Sequence, residues 1–299
     1  MQEYDLCCVG HITLDKVVTP NQTMYMPGGT SFYCSHAIRH LNDIKYSLVA
    51  SLAATEMAVV DDLRNKGVEV DVILSRKSLY FENIYGENQD DRTQRVLAQA
   101  DPFASKDMKT ISAKVFLLGA LTANDFSLDF VRDLSRKGLI AIDSQGYLRR
   151  VEGENVFATD WQNKLEFLQY VHFLKVNEME LESLTRESDV RIAAHKLYEW
   201  GVKEVVITLG SLGSIIYDGF DFYPIPAYIP NEVVDATGCG DTYMTGYLYK
   251  RALGADFTEA GKFGAAMATI KIEGMGPFHG SVADIEDRML NAETHIPSF

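Results

Sequence analysis

The chain has 299 residues, which is long enough for one large α/β domain or two ordinary domains. Hydrophobic residues make up 46% of the chain and charged residues 23%, which is typical of a globular protein and excludes a disordered one. The net charge of −14 argues against a nucleic-acid partner, because phosphate backbones are bound by clustered Lys and Arg. An anionic ligand must therefore be held locally, by backbone N–H groups, a few basic side chains or a metal ion.

The sequence also bears on the cellular compartment of the protein and on its contact with membranes. No apolar run approaches the roughly 18 residues that a membrane span needs. The acidic start, Met-Gln-Glu-Tyr-Asp, leads directly into a predicted strand and does not resemble a signal peptide. The cysteines, which show no C-x-x-C spacing, are Cys7, Cys8, Cys34 and Cys239. We expect reduced thiols in a cytoplasmic protein with no membrane partner.

The first third of the chain contains two kinds of pattern. The apolar run 4–9 predicts a buried parallel strand, and residues 11–27 alternate polar and apolar side chains around a turn at 20–21, which predicts a hairpin. A helix is predicted at 30–41, followed by strand 46–52, helix 55–66 and strand 68–74. Residues 79–99 again alternate, around a polar turn at 86–92. The two alternating segments predict a second, smaller sheet.

The rest of the chain alternates strands with helices. Strands are predicted at 115–118, 139–143, 171–176, 205–209, 214–217 and 222–225, and helices at 126–136, 161–170 and 190–200. This order predicts a mainly parallel sheet with helices on both faces, a three-layer α/β/α fold. Ligands of such sheets bind beyond the carboxyl ends of the strands. Asp143, Asn177, Gly210 and the turn at Asp235 lie near such ends and can converge there.

The segment 233–242 carries the strongest chemical signal. Gly238 and Gly240 flank Cys239 where a helix is predicted to begin, so three successive N–H groups can face an anion. Asp241 follows directly, and a carboxylate in this place makes sense as the acceptor of a proton from a hydroxyl that attacks phosphorus. The alternative is an ordinary strand-to-helix turn with Asp241 as a carboxylate at a helix N-terminus. Cys239 is interpreted as a small residue whose N–H matters, and not as a nucleophile.

Asp15 and the pair Gly28-Gly29 flank the first predicted hairpin. A carboxylate accepts two hydrogen bonds from neighbouring hydroxyls, and glycines let backbone amides approach a small ligand. This combination indicates a site for a sugar or polyol. The alternative is a solvated aspartate beside an ordinary turn.

Asn177 and Glu180 lie where a predicted strand enters a helix. Their oxygens can hold the waters of a hydrated Mg²⁺ ion. The alternative is a capping box, because an Asn followed three residues later by Glu has its general form. The histidines show no H-E-x-x-H spacing, so zinc chemistry is not expected.

Thr208, Gly210 and Gly213 join two predicted strands. The segment lacks the Lys of a P-loop, and residues 238–243 lack the third glycine of the dinucleotide fingerprint, which disfavours a Walker-type NTPase and an NAD enzyme. The hydroxyl and backbone groups can contact nucleotide phosphates. The alternative is a tight β-turn.

The order of these motifs resembles that of the PfkB-type carbohydrate kinases of the ribokinase-like superfamily. The motifs are Gly28-Gly29, Asn177-x-x-Glu180, Thr208-x-Gly210-x-x-Gly213 and Asp235-x-Thr237-Gly238-x-Gly240-Asp241. The resemblance covers the whole chain and implies a single ribokinase-like domain, 1–299, with lid strands inserted at about 11–27 and 79–99. It also implies ATP as phosphoryl donor, Mg²⁺ as cofactor, and a sugar or polyol as acceptor.

The resemblance implies a role for each motif. Asp241 would be the catalytic base, and the amides of Gly238, Cys239 and Gly240 would stabilise the transferring phosphoryl group. The other implied contacts are Asp15, Gly28, Gly29 and Asp241 for the acceptor, Asn177, Thr208, Gly210, Gly213, Gly238 and Gly240 for ATP, and Asn177, Glu180 and Asp235 for Mg²⁺, largely through water.

The chain departs from the family pattern in three places. Cys239 stands where the motif usually has Ala, and Tyr33 stands where many sugar-specific members have Asn. Residues 273–278 replace a Ser-bearing segment that helps bind a monovalent cation in ribokinase. A potassium requirement therefore stays open, and ribokinase, fructokinase or adenosine kinase activity is put in doubt.

Several shorter segments are similar to the myo-inositol kinase branch, and they lie at 10–15, 82–86, 100–103, 143–147 and 160–161. They make a cyclic polyol the first choice of acceptor, with a furanose sugar or nucleoside as the alternative and Asn83 as an added substrate contact on the lid. A non-catalytic sensor is the rival, and Asp241 disfavours it because a sensor needs no base. The exposed lid is a possible homodimer contact, since sheet edges seek partners.

Overall fold

The computed structural model describes residues 2–20, 22–85 and 92–297, so the predicted turns at 20–21 and 86–92 lie partly outside the described residues. The strands are β1 Gln2–His11, β2 Thr13–Val18, β3 Thr23–Gly28, β4 Tyr46–Ala53, β5 Val70–Ser75, β6 Tyr80–Tyr85, β7 Arg92–Ala98, β8 Ile111–Gly119, β9 Leu139–Asp143, β10 Arg149–Glu152, β11 Asn155–Ala158, β12 Phe173–Asn177, β13 Glu204–Thr208, β14 Ser214–Tyr217, β15 Phe222–Ile225, β16 Ala227–Tyr228 and β17 Thr294–His295. The α-helices are α1 Thr30–Ile38, α2 Met57–Asn65, α3 Leu128–Ser135, α4 Lys164–Phe167, α5 Glu178–Thr185, α6 Val190–Glu199, α7 Cys239–Ala252, α8 Phe257–Ile272 and α9 Val282–Asn291.

The large sheet contains nine strands within the described ranges, in the order β15-β14-β13-β12-β9-β8-β1-β4-β5. Neighbouring strands from β13 to β5 are parallel. β14 is antiparallel to both β13 and β15, and a single 3-10 turn, Gly210–Leu212, connects β13 to β14 in place of an α-helix. The prediction of a mainly parallel sheet is confirmed.

Strand β1 lies near the middle of the large sheet and is buried on both faces. Cys7 and Val9 pack on the face covered by α3 to α6, whereas Leu6 and Cys8 pack on the face covered by α1, α2 and α7 to α9. A strand covered on both faces needs apolar side chains at every position, which explains the apolar run Leu6–Val9 in its centre. The three-layer arrangement is therefore confirmed. All four cysteines are free thiols.

A separate small sheet has the strand order β10-β11-β7-β6-β2-β3 in the described part of the chain. The two predicted segments meet here, where β2 pairs with β6 in parallel and β6 with β7 in antiparallel orientation. The hairpin of β10 and β11 was not predicted. Its strands have four residues each, and β10 carries three charged side chains, so the alternation of polar and apolar residues is too short to recognise.

Helices α8 and α9 were also not predicted from the sequence. α8 is buried over most of its surface, so it lacks the one-sided apolar pattern that identifies a surface helix. It packs so closely on α7 that a Cβ atom on Gly264 would lie 2.6 Å from the carbonyl oxygen of Tyr243. None of the helices in the described ranges has the length and apolarity that crossing a lipid bilayer demands.

Glu204, at the start of β13, fastens α7 to the large sheet. Its carboxylate accepts hydrogen bonds from Tyr247 Oη at 2.7 Å and from Arg251 Nη2 at 2.6 Å and Nε at 3.0 Å. Burial opposes the charge on Glu204, but the bonds from His172, Arg251 and Tyr247 hold its pKa below its ordinary value. The position of α7, and of the residues at its start, therefore depends on this carboxylate.

Substituting Glu204 with Ala should destabilise the fold, because it leaves the Arg251 guanidinium without its partner. Removing one member of a buried ion pair typically costs about 3 kcal/mol or more. Urea unfolding should show this loss for E204A. The control is D129A, which removes a carboxylate 74% exposed in the Asp129–Arg132 pair and should change stability by less than about 0.5 kcal/mol. Equal losses in the two variants would contradict the role given to Glu204.

Candidate active site

Three neighbouring strands of the large sheet end in polar residues at one edge. β9 ends at Asp143, β12 at Asn177 and β13 at Thr208. The strand register places Asn177 beside Thr208, and Asp143 beside Lys175. This edge is where parallel sheets bind their ligands.

Asp241 lies in the first turn of α7 and is surrounded by charge. Burial is the main cause that raises its pKa to about 6, and the negative charge of Asp143 adds to it. A hydrogen bond from Thr30 and the positive charges of Lys175 and Arg149 act in the opposite direction. A carboxyl with this pKa can exchange a proton near neutral pH, as a general base must.

Lys175 supplies a fixed positive charge beside Asp241. Its Nζ lies 2.6 Å from Asp143 Oδ2, and its side chain is only 7% exposed. A Cβ atom on Gly240 would lie 3.2 Å from this Nζ, so the ammonium is next to the first turn of α7. Burial opposes its charge, but Asp143, Glu180 and Asp241 together raise its pKa above its ordinary value. Lys175 therefore stays protonated where an anion was predicted to bind.

The predicted anion-binding turn, residues 235–240, has the conformation that its glycines allow. Gly238 has φ of +78°, and a Cβ atom there would lie 2.3 Å from the ring of Tyr33. Gly240 is in the first turn of α7, where backbone N–H groups lack acceptors inside the helix. The N–H of Cys239 donates to Ala236 O at 3.2 Å, so one of the three predicted amide donors has an acceptor within the turn. Burial raises the pKa of the Cys239 thiol to about 12, which disfavours a nucleophilic thiolate.

Asn177 and Glu180 form a capping box at the start of α5. Asn177 Oδ1 accepts from the Glu180 N–H at 2.8 Å, and Glu180 Oε2 accepts from the Asn177 N–H at 2.9 Å and from Ser144 Oγ at 3.0 Å. Burial and the charge of Asp143 raise the pKa of Glu180. Within the described residues no three His, Cys, Asp or Glu side chains are grouped to hold a metal ion directly. A role in Mg²⁺ binding through water stays a prediction.

Asp235 uses its side-chain oxygens for contacts within the protein. Oδ1 accepts from the Thr237 N–H at 2.9 Å, and Oδ2 accepts from Lys271 Nζ at 3.0 Å and from the Gly276 N–H at 3.2 Å. Burial opposes the charge of this carboxyl, but the bonds from Thr237 and Lys271 hold its pKa below its ordinary value. Its predicted contact with Mg²⁺ stays a prediction.

Thr208, Gly210 and Gly213 form a tight turn after β13. Thr208 Oγ1 donates to Val176 O at 3.4 Å, and the Gly213 N–H donates to Gly210 O at 3.2 Å. Both glycines have positive φ, +59° for Gly210 and +105° for Gly213. The alternative interpretation, a tight turn, is therefore present, and it lies at the same sheet edge as Asn177. The contact with nucleotide phosphates stays a prediction.

Asp15 and the glycine pair lie side by side in the small sheet. A Cβ atom on Gly28 would lie 2.4 Å from Asp15 Oδ2, so the carboxylate occupies space that only glycine leaves. Asp15 Oδ1 accepts from Thr13 Oγ1 at 2.8 Å. Gly29 has φ of +87° and directly precedes Thr30 of α1, the residue that bonds Asp241. The predicted acceptor residues are therefore adjacent in the chain to a contact of the predicted base.

Asn83 shares a face of the small sheet with Asp15. β2 and β6 pair in a register that sets Asp15 opposite Phe81, and Asn83 is two residues further along. Gln94 Nε2 donates to Asn83 Oδ1 at 2.8 Å, which fixes the orientation of the amide. A substrate contact by Asn83 stays a prediction.

Residues around Asp241 that the sequence prediction did not assign to the site are Lys175, Arg149 and Thr30, whereas Asp143 was predicted to lie at this edge but was given no role. A signal for Lys175 was present, since a charged residue interrupts the apolar strand Phe173–Asn177 two positions before Asn177. Arg149 gave no such signal, because it belongs to the short hairpin that was not predicted.

A protein-family model described as pfkB family carbohydrate kinase matches residues 93–282 of the chain. The protein belongs to the pfkB family of carbohydrate kinases. It is a sugar or nucleoside kinase with the ribokinase-like fold, and therefore a phosphotransferase.

Similar sequences include kinases of nucleosides. A cytidine kinase of Thermococcus kodakarensis is 28% identical over 273 residues, which is 88% of this kinase and 94% of that protein. A nucleoside kinase of Methanocaldococcus jannaschii is 26% identical over 294 residues, 91% of each chain.

Similar structures include two kinases whose phosphoryl donors differ from each other. A pyrophosphate-dependent kinase of the ribokinase family, complexed with a pyrophosphate analog and myo-inositol, is 27% identical and has a TM-score of 0.85, covering 94% of this kinase and 99% of that chain. Ribokinase of Arabidopsis thaliana, complexed with ribose and ATP, has a TM-score of 0.79 at 18% identity, covering 97% and 100%. The second likeness shows the shared fold.

Substituting Gly238 with Ala should disturb the anion-binding turn beyond the cost of its positive φ. A non-glycine residue in this conformation costs about 1–2 kcal/mol, and the new methyl group would also collide with Tyr33. The matched control is G254A at the other end of α7, where φ is +87° and no atom lies within 4 Å of the added Cβ. Thermal unfolding and phosphoryl transfer should both be impaired more in G238A. Similar losses in the two variants would contradict the close contact with Tyr33.

Replacing Asp241 with Asn should stabilise the protein in a pH-dependent way. The folded carboxyl has a pKa of about 6 against an ordinary value of 3.8, so wild-type stability falls as pH rises from about 4 to 6 and then stays level. The stability difference between D241N and wild type should therefore grow over this range and reach a plateau above it. Thermal unfolding across pH measures the difference, and D129N controls for the change in net charge. A constant difference at all pH values would contradict the raised pKa.

Proposed function

We propose that this kinase transfers the γ-phosphoryl group of ATP to a hydroxyl of a small sugar or polyol, with myo-inositol as the first choice of acceptor. The observation that carries the proposal is a partly buried carboxyl, Asp241, with a pKa of about 6, placed in the first turn of a helix. The protonated Lys175 lies beside that turn. A base and a positively charged site for a phosphoryl group are thus adjacent.

The reaction follows from this arrangement. Asp241 accepts the proton of the acceptor hydroxyl, whose oxygen forms a bond to the γ-phosphorus while the bond to the β-phosphate oxygen breaks and ADP leaves. Amides of the anion-binding turn and the Lys175 ammonium face the negative charge on the transferring group, where fixed donors stabilise the transition state most. Asn177 and Glu180 would hold Mg²⁺ through water, and the ion would neutralise phosphate charge.

The small sheet is proposed as the lid over the acceptor. Asp15 and Asn83 share one of its faces, and Gln94 holds the Asn83 amide in a single orientation. Paired hydroxyls of a polyol suit a carboxylate and an amide, since both can accept hydrogen bonds. Tyr25 on the edge strand β3 is 65% exposed, which supports the small sheet as the contact of a homodimer.

Two comparisons favour specific alternatives. The similarity to a pyrophosphate-dependent kinase supports pyrophosphate as a second candidate donor, in which case phosphate leaves in place of ADP. The similarity to cytidine and nucleoside kinases supports a nucleoside as the second candidate acceptor. Both alternatives keep Asp241 as the base and the same anion-binding turn.

A panel of substrates tests the proposal. Acceptors are myo-inositol, ribose, fructose, cytidine, adenosine and inosine, each with ATP and with pyrophosphate, and the phosphorylated product is detected directly. D241N should lower kcat by about 10²- to 10⁴-fold while the protein stays folded. Wild-type kcat/KM should fall as pH decreases below about 6, because protonated Asp241 cannot accept the hydroxyl proton.

The control variant is D129N, a surface substitution that should keep wild-type rates. Near-normal turnover by D241N would remove the proposed mechanism. Product formation from none of the twelve combinations, which are the six acceptors with two donors each, would contradict the proposed acceptor classes.

A further inference from the structure

Lys271 is a charged residue with no contact with solvent. Its side chain is 0% exposed, although it lies at the end of α8 in a loop-rich part of the molecule. A buried ammonium is very costly unless oxygen acceptors replace its water. Its Nζ donates to Asp235 O at 2.7 Å, Asp235 Oδ2 at 3.0 Å and Gly274 O at 3.4 Å. These three oxygens match the three donors of an ammonium group.

The acceptors of Lys271 belong to two loops that meet at the C-terminal end of α8. Asp235 begins the anion-binding turn, and Gly274 lies just beyond the helix. The carbonyl oxygen of Ile272 also accepts from the N–H groups of Val234 and Asp235, at 2.8 and 3.1 Å. The end of α8 therefore fixes the start of the turn, and a helix C-terminus is the end that favours a positive charge.

An ammonium surrounded by carbonyl and carboxylate oxygens is equivalent in charge and similar in size to a dissolved K⁺ or NH₄⁺ ion bound in the same place. The difference is that the side chain attaches the charge permanently to α8. The buried ammonium also explains why residue 235 is an aspartate. The Asp235 carboxylate balances the charge of Lys271, which has no other ionic partner among the described residues.

We propose that the Lys271 ammonium is a built-in monovalent cation that holds residues 235–240 in the anion-binding conformation, so that activity requires no dissolved K⁺ or NH₄⁺. Lys271 is a positioning residue, because it acts through Asp235 and does not face the reacting groups. The inference rests on the proposed function only for its effect on turnover. The cation-binding part stands on the geometry alone.

The test compares two variants in chloride salts of K⁺, NH₄⁺ and tetramethylammonium at equal ionic strength. K271A removes the charge and leaves space for a small cation, whereas K271M removes the charge and fills the space. In tetramethylammonium, kcat of both variants should fall about tenfold or more, since misplacing a reacting group by about 1 Å can cost 10²-fold. K⁺ or NH₄⁺ should restore K271A but not K271M, and wild type should be equally active in all three salts.

A second readout needs no substrate. The melting temperature of K271A should rise in K⁺ or NH₄⁺ relative to tetramethylammonium, because a bound ion stabilises the folded state, whereas K271M and wild type should show no such rise. The control is K196A, which removes an ammonium that bonds Thr185 O and Glu187 far along the chain from the turn. It should show no cation-specific effect. If no substrate is turned over, the proposed function fails while this measurement still decides the cation site.

Four outcomes would overturn the inference. The first is normal turnover by K271A in tetramethylammonium, and the second is that neither K⁺ nor NH₄⁺ raises the kcat or the melting temperature of K271A. The third is that K⁺ or NH₄⁺ restores K271M as much as K271A. The fourth is a several-fold activation of wild type by K⁺. The last needs no variant, so it decides the question even if K271A does not fold.

Discussion

The candidate site depends on one buried ion pair, formed by Lys175 and Asp143 on neighbouring strands. Each charge makes the other tolerable in the interior, and together they set the potential around Asp241. Burial raises the pKa of Asp241 most, Asp143 raises it further and Lys175 lowers it, so this carboxyl is neither fully ionised nor fully neutral near pH 6. Under the proposed function the same ammonium would also face the incoming phosphoryl group. A single pair would then serve both the pKa of the proposed base and the attraction of the donor.

The scaffold explains why this balance can be kept. β9 and β12 are buried parallel strands, and their register holds Asp143 and Lys175 side by side. α7 brings Asp241 and Gly240 to the same edge, and it is fastened at its other side by Glu204 and by close packing on α8. Charges whose effects change steeply with distance are thus carried by elements with little freedom to shift.

The sequence predicted the large sheet well because its strands are covered on both faces and separated by regular helices. It predicted Asp241, Gly238 and Gly240 as a unit because they are consecutive in the chain. It did not assign Lys175, Arg149 or Thr30 to the surroundings of Asp241, since these residues come from separate elements and meet only through the fold. The hairpin of β10 and β11 was too short to show a period, and α8 was too uniformly buried to show an apolar side. The contacts of Asp235 with Lys271 likewise depend on a tertiary approach that no local pattern encodes.

Gly29 joins the last strand of the acceptor-side hairpin to Thr30, which bonds Asp241. A rotation of the small sheet about this peptide would move the Thr30 hydroxyl, and loss of its bond would strengthen the hold of Asp241 on a proton. Under the proposed function, binding of the acceptor at the small sheet would be linked through Gly29 to the pKa of Asp241, so an empty enzyme and a loaded one need not titrate alike.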